Sequence, residues 1–203
     1  MKAFTVCEGI AAPLTRDNVD TDMIVRVERI AQLRRGQFKP WAFEMLRYDA
    51  NGAENPSFIL NQPPFRDARI VLSGSNFGCG SSREMAVWAL EEFGIRCVIA
   101  QSFGDIFYAN CLQNGLLPVR LSAAQIASLI PAASRGEALR VDLHTRTVAA
   151  PGEPPIAFDF PDERRDALLE GIDEIDQTLR HNARILAFQR DDASKRPWVY
   201  TRK

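Results

Sequence analysis

The sequence predicts an α/β fold, built on a parallel βαβ centre to which further β layers are added. Short apolar runs alternate with segments of helical periodicity between residues 69 and 130, which is the pattern of βαβ units. Three short extended runs follow in residues 139–160, and no linker or repeat interrupts the chain. We therefore expect a single domain over residues 1–190 of the 203, followed by a polar tail over residues 191–203.

The elements of the predicted centre follow one another in a regular order. Apolar runs of strand type stand at residues 69–72, 97–100 and 116–119. Apolar residues recur at helical spacing between and after these runs, and the stripe of the first helix is Ala86, Ala89, Leu90 and Phe93. Strands that alternate with helices in this way form a parallel sheet.

Each of these helices begins with the same local pattern, a serine placed three residues before a carboxylate or an amide. The three pairs are Ser81 and Glu84, Ser102 and Asp105, and Ser122 and Gln125. In such a capping box the serine hydroxyl accepts a first-turn N–H, and the side chain three residues later reaches back to the serine N–H. We therefore expect the helices to begin at these serines.

The flanking segments carry weaker patterns. In residues 1–66, short extended runs are separated by polar loops and stand at residues 4–7, 24–25 and 58–60. Residues 139–160 predict three short strands, and residues 162–190 predict helix with a break near Gly171. The flanks therefore supply the added β layers and a helical C-terminal region.

The composition argues against two classes of protein. Lysine and arginine number 25 against 26 aspartates and glutamates, a formal net charge of -1, whereas nucleic-acid-binding domains are usually basic. The mean hydropathy is -0.18, and no apolar run approaches the roughly 18 residues that a membrane-spanning helix needs. We therefore expect neither a nucleic-acid partner nor a membrane segment.

Residue types that bind metals are few and scattered. The four cysteines are Cys7, Cys79, Cys97 and Cys111, and the chain has only two histidines. Zinc and iron–sulfur sites usually take their ligands from closely spaced pairs, which are missing from this sequence. We therefore expect no metal site in this chain, and we expect reduced, buried cysteines in the cytoplasm.

The most informative segment is the glycine-rich stretch at residues 73–84, between a predicted strand and a predicted helix. Gly78 and Gly80 allow the backbone to approach a ligand closely, and a helix N-terminus offers free N–H groups. Arg83 adds a guanidinium fork that suits a carboxylate or a phosphate. The segment predicts an anion-binding site, although the nucleotide-binding patterns GxGxxG and GxxxxGK[ST] do not fit it.

Two interpretations of Ser81 follow from the residues alone. In one, Ser81 caps the helix and Glu84 reciprocates. In the other, Ser81 is a catalytic hydroxyl beside the anion-binding Arg83, and Ser82 is available to cap the helix instead. No histidine or aspartate lies nearby in sequence to activate the serine, so the loop alone does not decide between them.

Four segments, in order, carry a resemblance to a known family. Residues 76–84, Asn-Phe-Gly-Cys-Gly-Ser-Ser-Arg-Glu, resemble the signature of the swivelling β/β/α domain of the aconitase superfamily. Residues 17–24, 100–107 and 114–119 are similar to further segments of its isopropylmalate dehydratase small subunits. The resemblance spans nearly the whole chain and implies an aconitase-like swivelling domain.

The resemblance also implies a hydro-lyase subunit with defined roles for its loop. Ser81 corresponds to the base that removes the substrate proton, and Arg83 to the arginine that binds a carboxylate of a small dicarboxylate substrate. The residues that shape the loop and supply N–H donors correspond to Gly78, Gly80 and Ser82. The family reaction converts 2-isopropylmalate to 3-isopropylmalate through 2-isopropylmaleate, in leucine biosynthesis.

The same resemblance places the cofactor in another chain. In this family the large subunit carries the [4Fe–4S] cluster, which acts as a Lewis acid on the substrate hydroxyl. The resemblance therefore implies that the small subunit holds no cofactor and is inactive alone. It implies a heterodimer or a heterotetramer with the large subunit.

Two departures from the family pattern bear on packing and specificity. Met85 stands where the family has a histidine, and methionine suits packing on a helix. Arg26 stands where the family has a proline, in a segment that reaches the substrate in the family. Arg26 either contacts a further substrate carboxylate or faces solvent or the partner. The first alternative favours another malate-like acid as substrate, such as citraconate, dimethylmaleate or homoaconitate.

The segment before Arg26 adds three candidate residues. Asp20, Thr21 and Asp22 either orient substrate-binding groups or form a turn, and the sequence leaves both alternatives open. We count these three residues and Arg26 among the candidate substrate-binding residues. We also expect residues 26–39 to be mobile when the chain is alone.

Overall fold

The computed structural model describes residues 1–200, and in this part of the chain seven strands form one mixed sheet. The strands are β1 (Val6–Pro13), β2 (Ile70–Leu72), β3 (Cys97–Ala100), β4 (Leu117–Arg120), β5 (Ala138–Asp142), β6 (Thr147–Ala149) and β7 (Ile156–Ala157). Their spatial order is β4-β3-β2-β1-β5-β6-β7; β1 to β4 are parallel, and β5 to β7 are added antiparallel. This confirms the predicted α/β fold with a parallel centre and added β structure.

Strand β1 joins the parallel and antiparallel parts of the sheet. Its residues 6–10 pair with β5, and its residues 11–13 pair with β2. The sequence predicted an extended run only at residues 4–7, because the glycine and alanines that follow have weak strand propensity. The strand extends further because hydrogen bonds from two neighbouring strands outweigh that propensity.

The helices of the first 171 residues are α1 (Thr21–Ile24), α2 (Val27–Gln32), α3 (Glu44–Arg47), α4 (Glu84–Phe93), α5 (Asp105–Asn114), α6 (Ala123–Ser134) and α7 (Asp162–Glu170). The predicted extended runs at residues 24–25 and 58–60 are wrong, because Ile24 ends α1 and residues 59–61 form a 3-10 turn. Such short runs do not distinguish a strand from a helical turn. Within residues 1–200, no helix is long and apolar enough to cross a membrane.

The parallel strands are buried on both faces. Ile70 and Leu72 of β2 belong to one apolar cluster, and Val71 belongs to the other. Helices α4 and α5 contribute to the cluster of Val71, whereas α6 and α7 contribute to the cluster of Ile70. Because successive side chains of a strand point to opposite faces, three apolar residues in a row require cover on both sides.

Within residues 1–200, one of the three predicted capping boxes forms, and it is the one in which Ser122 and Gln125 cap α6 reciprocally. Helix α5 begins after Gly104, and the Ser102 hydroxyl accepts a loop N–H instead. Helix α4 begins at Glu84 itself, with the preceding arginine as its N-cap residue. The capping interpretation of Ser81 is therefore wrong, since the helix starts too late for its hydroxyl to serve the first turn.

The chain divides into two compact units, Met1–Gly171 and Ile172–Lys203, the second described to residue 200. The second unit contains α8 (Glu174–Leu179) and α9 (Asn182–Lys195). The predicted break near Gly171 is present, because Gly171 ends α7 in the left-handed conformation. Helix α9 continues past residue 191, where the sequence predicted a polar tail, and its polar side chains form pairs one turn apart. The predicted domain boundary at residue 190 stays a prediction.

Candidate active site

The glycine-rich loop lies at the carboxyl edge of the parallel strands. It leaves β2 at Ser73 and enters α4, while β3 leads at the same edge into the start of α5. Two backbone hydrogen bonds join these connections: the Phe77 N–H donates to Ser102 O at 3.0 Å, and the Gly104 N–H donates to Phe77 O at 2.9 Å. Ligands of open α/β sheets bind at this edge, so the fold places the loop where a site is expected.

The Asp-Thr-Asp motif near the start of the chain runs alongside the loop. The Gly78 N–H donates to Val19 O at 2.7 Å, and the Thr21 N–H donates to Cys79 O at 2.9 Å. The Thr21 hydroxyl donates to Ser81 O at 3.1 Å, across 60 positions of the chain. These bonds bring together the two segments in which the sequence placed most of its candidate site residues.

Asp20 and Thr21 take part in the turn at the start of α1. Asp20 Oδ1 accepts the Met23 N–H at 2.7 Å and so caps this helix. Thr21 is 1% exposed, and its hydroxyl donates its hydrogen bond to the Ser81 carbonyl of the loop. The structure shows the turn interpretation for these two residues, while their direct contact with a substrate stays a prediction.

Arg83 lies between Asp22 and Ser81. Its guanidinium forms an ion pair with the Asp22 carboxylate, and its Nη2 donates to Ser81 Oγ at 3.4 Å. The Arg83 side chain is 15% exposed, so it is mostly buried but still accessible to solvent in part. An anion that reaches it meets an arginine that is already oriented, with a hydroxyl beside it.

Ser81 opens onto a cleft of about 280 Å³ between the loop and the start of α5. The lining residues are Gly78, Cys79, Gly80, Ser81, Gly104, Asp105, Ile106 and Phe107. Ser81 is exposed where it lines this cleft, and the adjacent Ser82 is exposed as well. Within residues 1–200, the backbone N–H groups of Gly80, Ser81 and Ser82 donate no hydrogen bond, so they can donate to an anion near the start of α4.

Gly78 and Gly80 have different roles in the glycine-rich loop. Gly78 has a φ of +72°, and a Cβ built there would lie 2.1 Å from Phe107 Cγ. Its N–H is already bonded to Val19 O, so Gly78 shapes the loop but does not supply the predicted donor to a ligand. Gly80 has a φ of +92° and is exposed, which suits both predicted roles.

Arg26 lies apart from the Ser81 cleft. It lines a different cavity of about 640 Å³, and its guanidinium bonds both oxygens of Glu28 at 3.2 and 3.3 Å. In the same segment, Arg29 pairs with Glu44 at 2.6 Å and stacks on Trp41. Both arginines therefore have carboxylate partners within the chain.

Residues 26–39 are joined to α4 by hydrogen bonds. They form α2 and a turn in which the N–H groups of Gly36 and Phe38 donate to the Glu92 carboxylate at 2.6 and 2.5 Å. The predicted mobility of this segment in the isolated chain stays a prediction beside these contacts. The sequence could not show them, because Glu92 lies 54 positions beyond Phe38.

Met85 is partly buried against the apolar cluster that α4 and α5 share. A methionine at this position fills the space as the packing interpretation predicted. The residue that stands in for the family histidine therefore supports the fold of α4 rather than the cleft itself.

The sequence missed one wall of the cleft and one buried amide. The wall is the first turn of α5, residues 105–107, and the amide is Asn114 at the end of that helix, which is 4% exposed. The carboxyl-edge rule could have found the wall, because α5 follows β3 at the same edge as the loop. Asn114 begins the segment 114–119 that resembles the family, but no role in the site was predicted for it from the sequence.

The metal-binding side chains of residues 1–200 do not form a set that suits an iron–sulfur cluster. Residues 1–200 contain no group of three histidine, cysteine, aspartate or glutamate side chains that could hold a metal ion. Cys97 and Cys111 are buried among apolar side chains, and this burial raises the pKa of both thiols well above the usual value. Partial burial, helped by the Asp20 carboxylate, also raises the pKa of Cys79.

Comparison with known proteins identifies a family. The family model of the aconitase C-terminal domain matches residues 1–124. The 3-isopropylmalate dehydratase small subunit of Dinoroseobacter shibae is 45% identical over 201 residues, 98% of this chain and 100% of that protein. The protein of the same name from Jannaschia sp. strain CCS1 is 46% identical over the same shares of the two chains.

A solved structure agrees with this result. The crystal structure of 3-isopropylmalate dehydratase from Methanocaldococcus jannaschii is similar with a TM-score of 0.65 and 25% sequence identity, over 91% of this chain and 99% of that chain. The resemblance carried by the four sequence motifs is thereby confirmed, and with it the aconitase-like fold. The chain belongs to the family of 3-isopropylmalate dehydratase small subunits, in the aconitase superfamily.

Proposed function

We propose that the chain is the small subunit of an enzyme that isomerises 2-isopropylmalate to 3-isopropylmalate through 2-isopropylmaleate, a dehydration and rehydration in leucine biosynthesis. Family membership supports this hydro-lyase reaction. The observation that carries the residue assignment is the exposed Ser81 hydroxyl beside Arg83, at the mouth of the cleft. Ser81 is free of the capping role, so its hydroxyl is available for chemistry.

Ser81 takes and returns the substrate proton. Dehydration removes a proton from the carbon next to a carboxylate and hydroxide from the neighbouring carbon, and a C=C bond forms between them. The proton passes to the Ser81 alkoxide and returns to carbon on rehydration. Serine is a weak base in water, but fixed positive neighbours favour its alkoxide. Arg83 Nη2, at 3.4 Å from Ser81 Oγ, is such a neighbour.

Arg83 binds a carboxylate of the substrate. Its Nη1 is held by Asp22, and its Nη2 is next to Ser81 Oγ. A carboxylate seated against this guanidinium places the adjacent carbon close to the serine oxygen. Such fixed placement of reacting groups lowers the barrier without any further chemical step.

The remaining groups belong to a second chain. Because the donor set of residues 1–200 does not fit a [4Fe–4S] cluster, we assign the cluster, and action on the leaving hydroxyl, to the large subunit of a heterodimer or heterotetramer. Docking of that subunit over the exposed Ser81 would exclude water from the site. The four cysteines are free, which supports a reducing compartment and hence a cytoplasmic location.

The alternative substrates are other malate-like acids, including citraconate, dimethylmaleate and homoaconitate. Of these three acids, homoaconitate is the one with a third carboxylate that Arg26 would contact. The two hydrogen bonds from Arg26 to Glu28 compensate its charge within the chain. This pairing disfavours homoaconitate, whereas citraconate and dimethylmaleate carry only uncharged methyl groups, so the substrate assay decides between those two acids and 2-isopropylmaleate.

An anaerobic assay of this chain with its reconstituted large subunit tests the proposal. The absorbance of 2-isopropylmaleate is followed with wild type and Ser81→Ala, beside the alternative unsaturated acids. We expect turnover of 2-isopropylmaleate that Ser81→Ala abolishes. Turnover of another acid alone would move the assignment to that substrate, and full activity of Ser81→Ala would remove Ser81 from the chemistry.

A further inference from the structure

The first turn of α4 is anchored by a side chain that the proposed mechanism does not use. Glu84, the residue after Arg83, accepts a hydrogen bond from Asn114 Nδ2 at 2.9 Å. Asn114 is the last residue of α5 and lies 30 positions further along the chain. Helix α4 is therefore tied at its start to α5, in place of the capping box that its own sequence predicted.

Both polar atoms of the Asn114 side chain form hydrogen bonds within the structure. Nδ2 also donates to the Asn110 carbonyl at 2.9 Å, and Oδ1 accepts from Trp88 Nε1 at 3.0 Å. The orientation of the amide is fixed, because a flip would set its oxygen against two acceptors and its NH2 group against the indole N–H. Asn114 is also 4% exposed, so water cannot easily replace these partners.

The two partners of Asn114 on α4 stand one turn apart. Glu84 and Trp88 are related as i and i+4, so they lie on the same face of the helix. By bonding both, Asn114 sets the rotation and the axial position of the first turn of α4 relative to α5. The other end of α5 packs on the glycine-rich loop through Phe107, against which Gly78 has no room for a side chain. Both ends of α5 therefore constrain the loop.

We propose that Asn114 is a positioning residue that acts through Glu84 to fix Arg83 and Ser81 at the mouth of the cleft. The inference rests on the proposed function, because it concerns the groups to which that function assigns proton transfer and carboxylate binding. A shift of Glu84 moves the backbone of Arg83 and with it the guanidinium beside Asp22. Misplacement of a reacting group by about 1 Å can lower a rate by roughly a hundredfold.

A set of variants in the assembled enzyme tests the role of this bond. Asn114→Ala and Glu84→Ala each remove it, whereas Glu84→Gln keeps an oxygen that accepts from Asn114. Asn61→Ala is the matched control, because Asn61 is also 4% exposed and its amide likewise donates two hydrogen bonds, here to two backbone carbonyls, and accepts one from a side chain, that of Arg47. Glu84→Ala carries the test if Asn114→Ala does not fold.

We expect KM to rise and kcat to fall in Asn114→Ala and in Glu84→Ala, with kcat/KM about tenfold lower or more. Glu84→Gln is expected to restore activity. The double variant Asn114→Ala/Glu84→Ala should lose no more than the worse single variant, because both changes break one bond. An unchanged KM, a similar loss in Asn61→Ala or multiplicative losses would overturn the inference, since a purely structural defect only lowers the amount of active enzyme.

A second measurement on the isolated chain separates this inference from the proposed function. Cys79 lies in the loop and is partly exposed, whereas the other three cysteines are buried, so thiol labelling of the native chain reports on the loop. We expect several-fold faster labelling in Asn114→Ala than in Asn61→Ala. Unchanged labelling would overturn the role of Asn114. Faster labelling, with no turnover of 2-isopropylmaleate by the wild-type complex, would keep that role and reject the proposed function.

Discussion

The guanidinium of Arg83 and the carboxylate of Asp22 form an ion pair across 61 positions of the chain. Asp22 stands in the first turn of α1, and Arg83 is the N-cap residue of α4. The pair therefore joins two motifs that the sequence presents separately, and it orients the guanidinium before any substrate arrives. For Asp22, the arrangement supports the alternative in which it orients a substrate-binding group.

Removal of the Asp22 carboxylate should weaken substrate binding. In Asp22→Ala the guanidinium of Arg83 loses its charged partner, a bond worth about 1.5–3 kcal/mol. We expect the KM of the assembled enzyme for 2-isopropylmaleate to rise roughly ten- to a hundredfold. The control is Glu8→Ala, which removes an exposed pair with Arg140 and should leave KM unchanged. Equal KM values for both variants would contradict a role of Asp22 in orienting Arg83.

Substitution by alanine should lower stability at Ser122 and activity at Ser81. Ser122→Ala removes a formed capping box and should lower the free energy of unfolding by about 1 kcal/mol, with activity retained. Ser81→Ala should abolish activity and leave stability unchanged, because α4 does not use this hydroxyl as a cap. Urea unfolding of the isolated chain and assay of the complex measure the two effects. A loss of stability in Ser81→Ala equal to that of Ser122→Ala would restore the capping interpretation.

Gly78 should tolerate a methyl group far less well than another glycine of similar conformation. Gly52 has a φ of +80° and nothing within 4 Å of a built Cβ, so Gly52→Ala should cost only the left-handed strain of about 1–2 kcal/mol. Gly78→Ala adds an overlap with the Phe107 ring, 2.1 Å from the new Cβ, and should cost clearly more. Urea unfolding measures the free energy of unfolding of the two variants. Equal decreases would mean that the loop shifts to accommodate the new methyl group without further destabilisation.

The thiol of Cys79 should react slowly at neutral pH. Partial burial and the nearby Asp20 carboxylate raise its pKa, so less of it is thiolate at a given pH than in a free cysteine. The labelling rate should therefore rise at a higher pH than that of a model thiol. Asp20→Asn, which still can cap α1, should move the curve to lower pH because it removes a negative charge. If the pH dependence of labelling is the same in Asp20→Asn as in the wild type, burial alone raises the pKa of Cys79.

The turn at residues 36–39 should be protected from hydrogen exchange in the isolated chain. Its N–H groups at Gly36 and Phe38 donate to Glu92, so Glu92→Ala should remove their protection. Glu91→Ala is the control, because Glu91 bonds only a side chain of this segment, that of Arg35, among the residues described. Exchange in the wild type as fast as in Glu92→Ala would instead support the mobility that the sequence predicted.

Local patterns were sufficient for the centre of the fold and for the family. Consecutive apolar residues marked the strands at β2 and β3, because a strand that is buried on both faces needs apolar side chains on both. The spacing of Gly78, Gly80 and Arg83 marked the anion loop, because only certain residue types allow this backbone and this charge. Such signals depend on neighbours in the chain, so a single sequence contains them. The added antiparallel strands could be predicted for the same reason.

The α/β class, the parallel centre, the loop and the family could all be predicted from the sequence, because they depend on short-range periodicity and residue type. The contacts that hold the loop in place could not. Ser122 forms its capping box, but Ser81 does not, because Glu84 bonds Asn114 of a neighbouring helix. The partners of Arg83 and Glu84 lie 61 and 30 positions away, and which side chains meet over such separations depends on how the helices and strands pack.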